Sequence, residues 1–183
     1  MTQLGIPFSA IDSNFDEDSI KKYEKNVRDL TRLLCKEKAL NVFNNYPDNF
    51  VIGSDQAVEI DGIALGKPKS FDKAIDQLKL MSGKKHYLWT SYALIDPSKK
   101  LKIHTQKTVL TMKKISEDEI VDYVGYDFPV DCAGSYKIEC AGIALFEKIE
   151  TTDFSAIQGL PLMELAKDLK LLEFKLFQKE IKR

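Results

Sequence analysis

No stretch of this sequence stays apolar for the roughly 20 residues that a membrane-spanning helix needs. Its opening, Met1-Thr-Gln-Leu-Gly-Ile-Pro7, has neither a basic leader nor a long apolar run, so a chain that is neither exported nor anchored is expected. Cysteine is scarce. Cys35, Cys132 and Cys140 are odd in number and show no Cys-x-x-Cys spacing, which argues against a disulfide framework and against a structural zinc site. A reducing cytoplasm is the expected location. An excess of one charge is also missing: 27 lysines and arginines face 28 acids, leaving −1. Without a basic footprint, a nucleic-acid polymer is not an expected partner.

What is present is an ordinary globular balance. With 44% hydrophobic and 30% charged residues over 183 positions, the chain can bury one sizeable core, and no repeat or low-complexity linker divides it. Strand-like and helix-like segments alternate. They predict an α/β fold with a mixed, twisted sheet of parallel-type alternation, flanking helices and an antiparallel arm. Residues 6–11 read as a short strand, and about 20–46 as one long amphipathic helix carrying Val27, Leu30, Leu33, Leu34, Val42 and Phe43, ended by Pro47.

Further along, Ala57 to Leu65 reads as a hairpin turning at Asp61-Gly62, and Ser70 as the cap of a helix that reaches Met81. Tyr87 to Ile95 and Lys102 to Met112 suit a long antiparallel pair. Ser116-Glu-Asp-Glu119 has the form of a capping box for a helix over 117–124. Residues 141–149 read as a strand. Pro161 opens a last helix with Leu162, Leu165, Leu169 and Leu172 on one face.

The chemistry concentrates in Val51-Ile-Gly-Ser-Asp-Gln56, an apolar run that ends on a carboxylate, followed by Asp61-Gly62 and Gly66-Lys67-Pro68. The run places Asp55 at the C-terminal end of a strand, where open α/β sheets hold ligands. The hairpin then swings Lys67 back toward it as a phosphate contact, on a loop stiffened by Pro68. Taken alone, an Asp after a strand is more often a turn or cap residue. His86, His104 and Trp89 lie in strand-like runs without a partner acid and read as packing or surface residues, and Cys132 as a small buried one.

The ordered series Asp16-Glu17, Glu37-Lys38-Ala39, Ile52 to Gln56, Asp61-Gly62, Gly66-Lys67-Pro68, Leu80 to Gly83, Cys132-Ala-Gly-Ser135 and Gly159-Leu-Pro161 resembles the Maf, or septum-formation-inhibitor, family of nucleotide pyrophosphatases. It covers essentially the whole chain. Ser54-Asp-Gln56 and Cys132 to Ser135 are similar to the 7-methyl-GTP subgroup, whereas dTTP/UTP-type members carry Ala-Asp-Thr and Lys-Ala-Gly-Ala. The resemblance implies hydrolysis of a nucleoside triphosphate between its α and β phosphorus atoms, with Mg²⁺ or Mn²⁺. Asp55 would be the general base, Lys38 and Lys67 the phosphate cations, and Glu17 with Asp55 the metal oxygens. Gln56 and Glu139 would select the base, the carboxylate accepting from the N1 and N2 edge of guanine and favouring a cationic methylated ring. Lys137 reads instead as an exposed strand-end charge. A homodimer is implied as well, although no apolar stripe demands one.

Two departures stand out. Thr90-Ser91 replaces the family's Thr-Gly, so a serine is expected to crowd a close backbone approach. Family members also open with a buried strand and a Ser-x-Ser-x-x-Arg segment, and the single domain 1–183 is expected to lack both. A non-catalytic nucleotide-binding or cell-division-associated protein is therefore the rival reading. Retention of Asp55, Lys38, Lys67 and Glu139 together favours catalysis, and Gln56 with Glu139 disfavours a dTTP/UTP activity.

Overall fold

The computed structural model describes residues 1–177. Strands β1 (Val51–Ile60), β2 (Ile63–Leu65), β3 (Lys85–Ile95), β4 (Leu101–Met112) and β5 (Phe146–Glu150) form one sheet in the order β2-β1-β3-β4-β5. The α/β class, the flanking helices and the antiparallel arm are as expected. The pairing differs from a mixed sheet, because all four ladders are antiparallel. The reason is where β3 starts. β1 turns at Asp61-Gly62, whose φ values of 52° and 78° suit a two-residue hairpin, and β3 then begins beside the end of β1, with Tyr87 opposite Glu59. Helix α3 (Phe71–Met81) thus joins neighbouring ends, whereas a parallel partner would need a crossover back to the start of β1.

One face of the sheet is covered by α2 (Val27–Phe43), preceded by the short α1 (Glu17–Lys21). The expected single helix over 20–46 is therefore two. Asn26 interrupts it, because its side chain accepts from the Asp29 backbone N–H at 3.0 Å and so begins a new helix. Cys35, Ala39 and Phe43 of α2 pack on Val51, Ala93 and Ile95. Contact is closest at Gly53, where a Cβ would lie 2.4 Å from the Cys35 carbonyl oxygen and 2.7 Å from the Ala39 nitrogen. Only glycine lets helix and strand backbones approach this far.

The opposite face is covered in two parts. Helix α5 (Leu162–Leu171) places Leu162, Leu165 and Leu169 against Tyr92 and Leu94. At the other end α3 and α4 (Glu117–Asp127) bury Leu78, Met81, Ile120 and Val124 against Val58, Ile60, Leu88 and Leu110. The caps at Ser70 and Ser116 form as expected, the second as a full capping box. Residues 6–11 are irregular, with Phe8 and Ile11 exposed and no ladder to hold them. The expected strand over 141–149 holds only from Phe146, since Ala141–Leu145 coils into 3₁₀ turns. No described helix is long and apolar enough to cross a membrane.

Adding a methyl at Gly53 must push α2 off the sheet. Gly53→Ala is expected to lose roughly 1–3 kcal/mol, the usual cost of overpacking, read as a lower urea midpoint. An unchanged midpoint would show that α2 yields freely at this contact.

Candidate active site

Asp55 lies in the middle of β1, opposite Ser91, and the ladder continues to Glu59. The expected strand end is thus not where it sits. Its access to solvent comes from the sheet edge instead. β2 pairs only with Val58 to Ile60, and a cleft of about 1230 Å³ opens across the rest of the outer edge of β1. Strand alternation sends Asp55 to the α2 side of that edge and Ser54 and Gln56 to the other. The cleft gathers Glu17, Lys38, Asp55, Gln56, Lys67 and Glu139 in one place.

Lys38 immediately precedes Ala39, the residue that touches Gly53, so the close contact there carries its side chain onto Asp55. Its Nζ donates at 2.7 Å to Asp55 Oδ1 and also stands 2.7 Å from Glu17 Oε1. Glu17 in turn takes Lys21 at 2.5 Å through Oε2. Burial pushes the Asp55 carboxyl above its ordinary value and outweighs the opposing pull of Lys38. Burial works against the charge on Lys38, but its bonds to Asp55 and Glu17 hold that charge more firmly than usual. Burial also acts to raise Glu17, yet Lys21 and Lys38 together bring it down to about 2.

The remaining predicted residues divide by environment. Lys67 is exposed on the cleft wall in the loop after β2. Gln56 Nε2 donates to Thr90 Oγ1 and the Ala156 carbonyl at 2.9 Å, and to the Ile157 carbonyl at 3.2 Å. Its nitrogen is thereby committed to the fold, which leaves Oε1 as the end available to a ligand. Glu139 is an exposed part of the wall, beyond the buried Tyr136 and Ile138. Lys137 is occupied elsewhere, its Nζ donating at 2.7 Å to the Asp127 carbonyl at the end of α4.

Ser91 does not crowd the cleft. It is fully buried on the α2 side and bonds Thr31 and Thr105 through its hydroxyl. His86 is also fully buried, with its pKa pushed down to about 4 by desolvation, and Trp89 donates to Glu59. Neither lines the cleft. All three cysteines are free, and burial holds the Cys132 thiol above its ordinary pKa. Sequence reasoning missed Lys69, Asp131, Tyr136, Gln158 and Gly159, which all line the cleft. The Gly159-Leu-Pro161 motif held a partial signal, since it suggested only a helix start although Gly159 also accepts from Ser54 Oγ.

No three His, Cys, Asp or Glu residues among those described form a metal-holding group. Glu17 and Asp55 offer two hard oxygens with Lys38 between them. A small divalent cation shared with substrate phosphates would take the place that the Lys38 ammonium holds between them, and the set does not form an all-protein cage.

An antiparallel α/β domain whose cleft pairs a half-buried carboxylate with a lysine, and carries further lysines on its wall, is a scaffold suited to phosphate anhydrides. Residues 1–172 match the family described as Maf-like protein, and the chain belongs to that family. It is 42% identical over 170 residues to the 7-methyl-GTP pyrophosphatase of Bdellovibrio bacteriovorus, covering 93% of this chain and 88% of that protein. Proteins of the same description from Pseudoalteromonas atlantica (37% identical, 97% and 91% covered) and Syntrophotalea carbinolica (35%, 90% and 84%) are also similar.

The depressed Glu17 gives a pH signature for this ion-pair chain. Its stabilisation is complete above the ordinary carboxyl value of 4.5 and is lost as pH falls through about 2. Glu17→Gln is therefore expected to be less stable than the parent near pH 7, with the gap closing between pH 5 and 2 in urea titrations. A gap independent of pH would exclude the ion pairs as its source.

Proposed function

We propose that this chain hydrolyses the α–β phosphoanhydride of 7-methyl-GTP, or of a closely related modified nucleotide, to the monophosphate and pyrophosphate. The observation that carries the reading is Asp55, a carboxylate raised by burial and held by Lys38 in a cleft large enough for a nucleoside triphosphate. The names of the relatives and the family membership support it.

In this mechanism Asp55 accepts a proton from the attacking water through Oδ2, because Oδ1 is occupied by Lys38. The water oxygen bonds to the α phosphorus as the bond to the bridging oxygen breaks, and pyrophosphate leaves. The raised carboxyl makes a stronger base than an exposed aspartate. Lys38 and Lys67 offset the phosphate charge that would repel the nucleophile. Glu17 and Asp55 would hold Mg²⁺ or Mn²⁺, which would supply further charge neutralisation. Glu139 accepts from the guanine N1 and N2 edge, and Gln56 Oε1 offers a second acceptor whose direction the fold has fixed. A nucleotide is the small-molecule partner, and a homodimer in a reducing cytoplasm remains part of the proposal.

Asp55→Asn should lower turnover by roughly 10²-fold to 10⁴-fold, as loss of a general base does, while circular dichroism stays native. The acid limb of the parent's kcat/KM profile should lie above the ordinary aspartate value of 3.8. Near-normal turnover in the variant would refute the base assignment. Glu139→Gln should narrow the preference for 7-methyl-GTP over UTP, because a donor then faces the guanine edge. An unchanged ratio of kcat/KM for the two nucleotides would place selection elsewhere.

A further inference from the structure

Two stretches of the cleft wall are loops far apart in sequence. One, residues 66–69 between β2 and α3, carries Lys67; the other, residues 130–139, carries Glu139. One side chain bridges them. Gln77, half-buried on α3, donates from Nε2 to the Gly66 carbonyl at 3.0 Å and accepts at Oε1 from the fully buried Ser135 hydroxyl at 2.6 Å. The amide orientation is settled by chemistry: a carbonyl cannot donate, so nitrogen must face Gly66. A second tether runs parallel to it, the Lys69 N–H donating to the Val130 carbonyl at 2.9 Å.

Neither loop can shift freely at its Gln77 contact. Gly134, at φ 74°, lies so close to β1 that a Cβ would come within 2.8 Å of Val58, and this contact fixes the neighbouring Ser135 against the sheet. Gln77 transmits that fixed position across α3 to Gly66, one residue before Lys67. Lys67 itself sits exposed in the cleft, on a stem of four rotatable methylenes. A backbone anchor beside it limits where the ammonium can reach.

We propose that Gln77 is a positioning residue that sets Lys67 at the distance from the 130–139 loop that a nucleoside triphosphate spans between its base and its phosphates. The inference rests on the reading of Lys67 as a phosphate cation. Gln77 touches neither phosphate nor base. It acts by holding the two recognition loops in one register, so that ligand binding need not pay to order them.

The test is a double-mutant cycle on binding, read as the Kd of 7-methyl-GTP by isothermal titration without divalent cation, so that the active proteins do not consume the nucleotide. Gln77→Met keeps the side-chain volume and removes both hydrogen bonds. It is expected to weaken binding about tenfold, the scale of ordering one or two loop side chains on binding, and also to lower the Tm, because the buried Ser135 hydroxyl loses its partner. In a Lys67→Ala background the same change should have no further effect, because nothing remains to be positioned. Gln77→Glu keeps the bond from Ser135 and sets a carboxylate against the Gly66 carbonyl, and should behave like Gln77→Met. An equal penalty in both backgrounds, or unchanged Kd in both Gln77 variants, would overturn the inference while leaving the proposed function intact. Unchanged Kd on Lys67→Ala alone would remove the phosphate-cation reading and this inference with it.

Discussion

The contact on which the site depends is the meeting of two backbones at Gly53. A side chain there would overlap the Cys35 carbonyl and the Ala39 nitrogen, so a larger residue would set α2 farther from β1. Lys38 and Asp55 lie next to that contact on helix and strand, and their 2.7 Å ion pair follows from it. A helix packed at the distance of ordinary side chains would leave Asp55 buried without its lysine, an unpaired charge that proteins rarely tolerate. The same approach encloses Cys35, and burial, with the Asp55 charge adding to it, pushes its thiol up to about 12.

On the proposed reading, the ion-pair chain Lys21–Glu17–Lys38–Asp55 is the electrostatic frame that meets the triphosphate. Two lysines alternate with two carboxylates, so the frame is close to neutral without ligand. A triphosphate brings several negative charges, for which the lysines are ready partners. On the proposed reading, the carboxylates then serve a cation and a water, groups that arrive with the substrate. The environments differ as these roles require. Glu17 is held strongly ionised, whereas Asp55 is shifted toward proton uptake.

The edge of β1 divides the labour further. Successive side chains of Ser54-Asp55-Gln56 point to opposite faces, so Asp55 joins the α2 side while Ser54 and Gln56 anchor the turn over Asp153 to Gly159. One short strand segment thereby serves the ionic site and the opposite wall of the same cleft. Because β2 is only three residues long, it leaves that segment open to the cleft.

Local chemistry was legible in the sequence. Ser70 and Ser116 declared their helices, Asp61-Gly62 its hairpin, and the ordered motifs from Glu17 to Gly159 the family, because caps, turns and motif spacing are properties of neighbouring residues. The strand direction was not legible. Whether β3 enters beside the start or the end of β1 depends on where α3 packs, and no local pattern encodes that. For the same reason Asp55 read as a strand end although the strand continues through it, and nothing local marks Gln77, whose bond to Ser135 spans 58 residues. Residue types and their order came from the sequence. Tertiary packing alone decided which of them share a cleft, because the distances among Glu17, Lys38, Asp55 and Lys67 are set by backbone approach and loop anchoring between segments far apart along the chain.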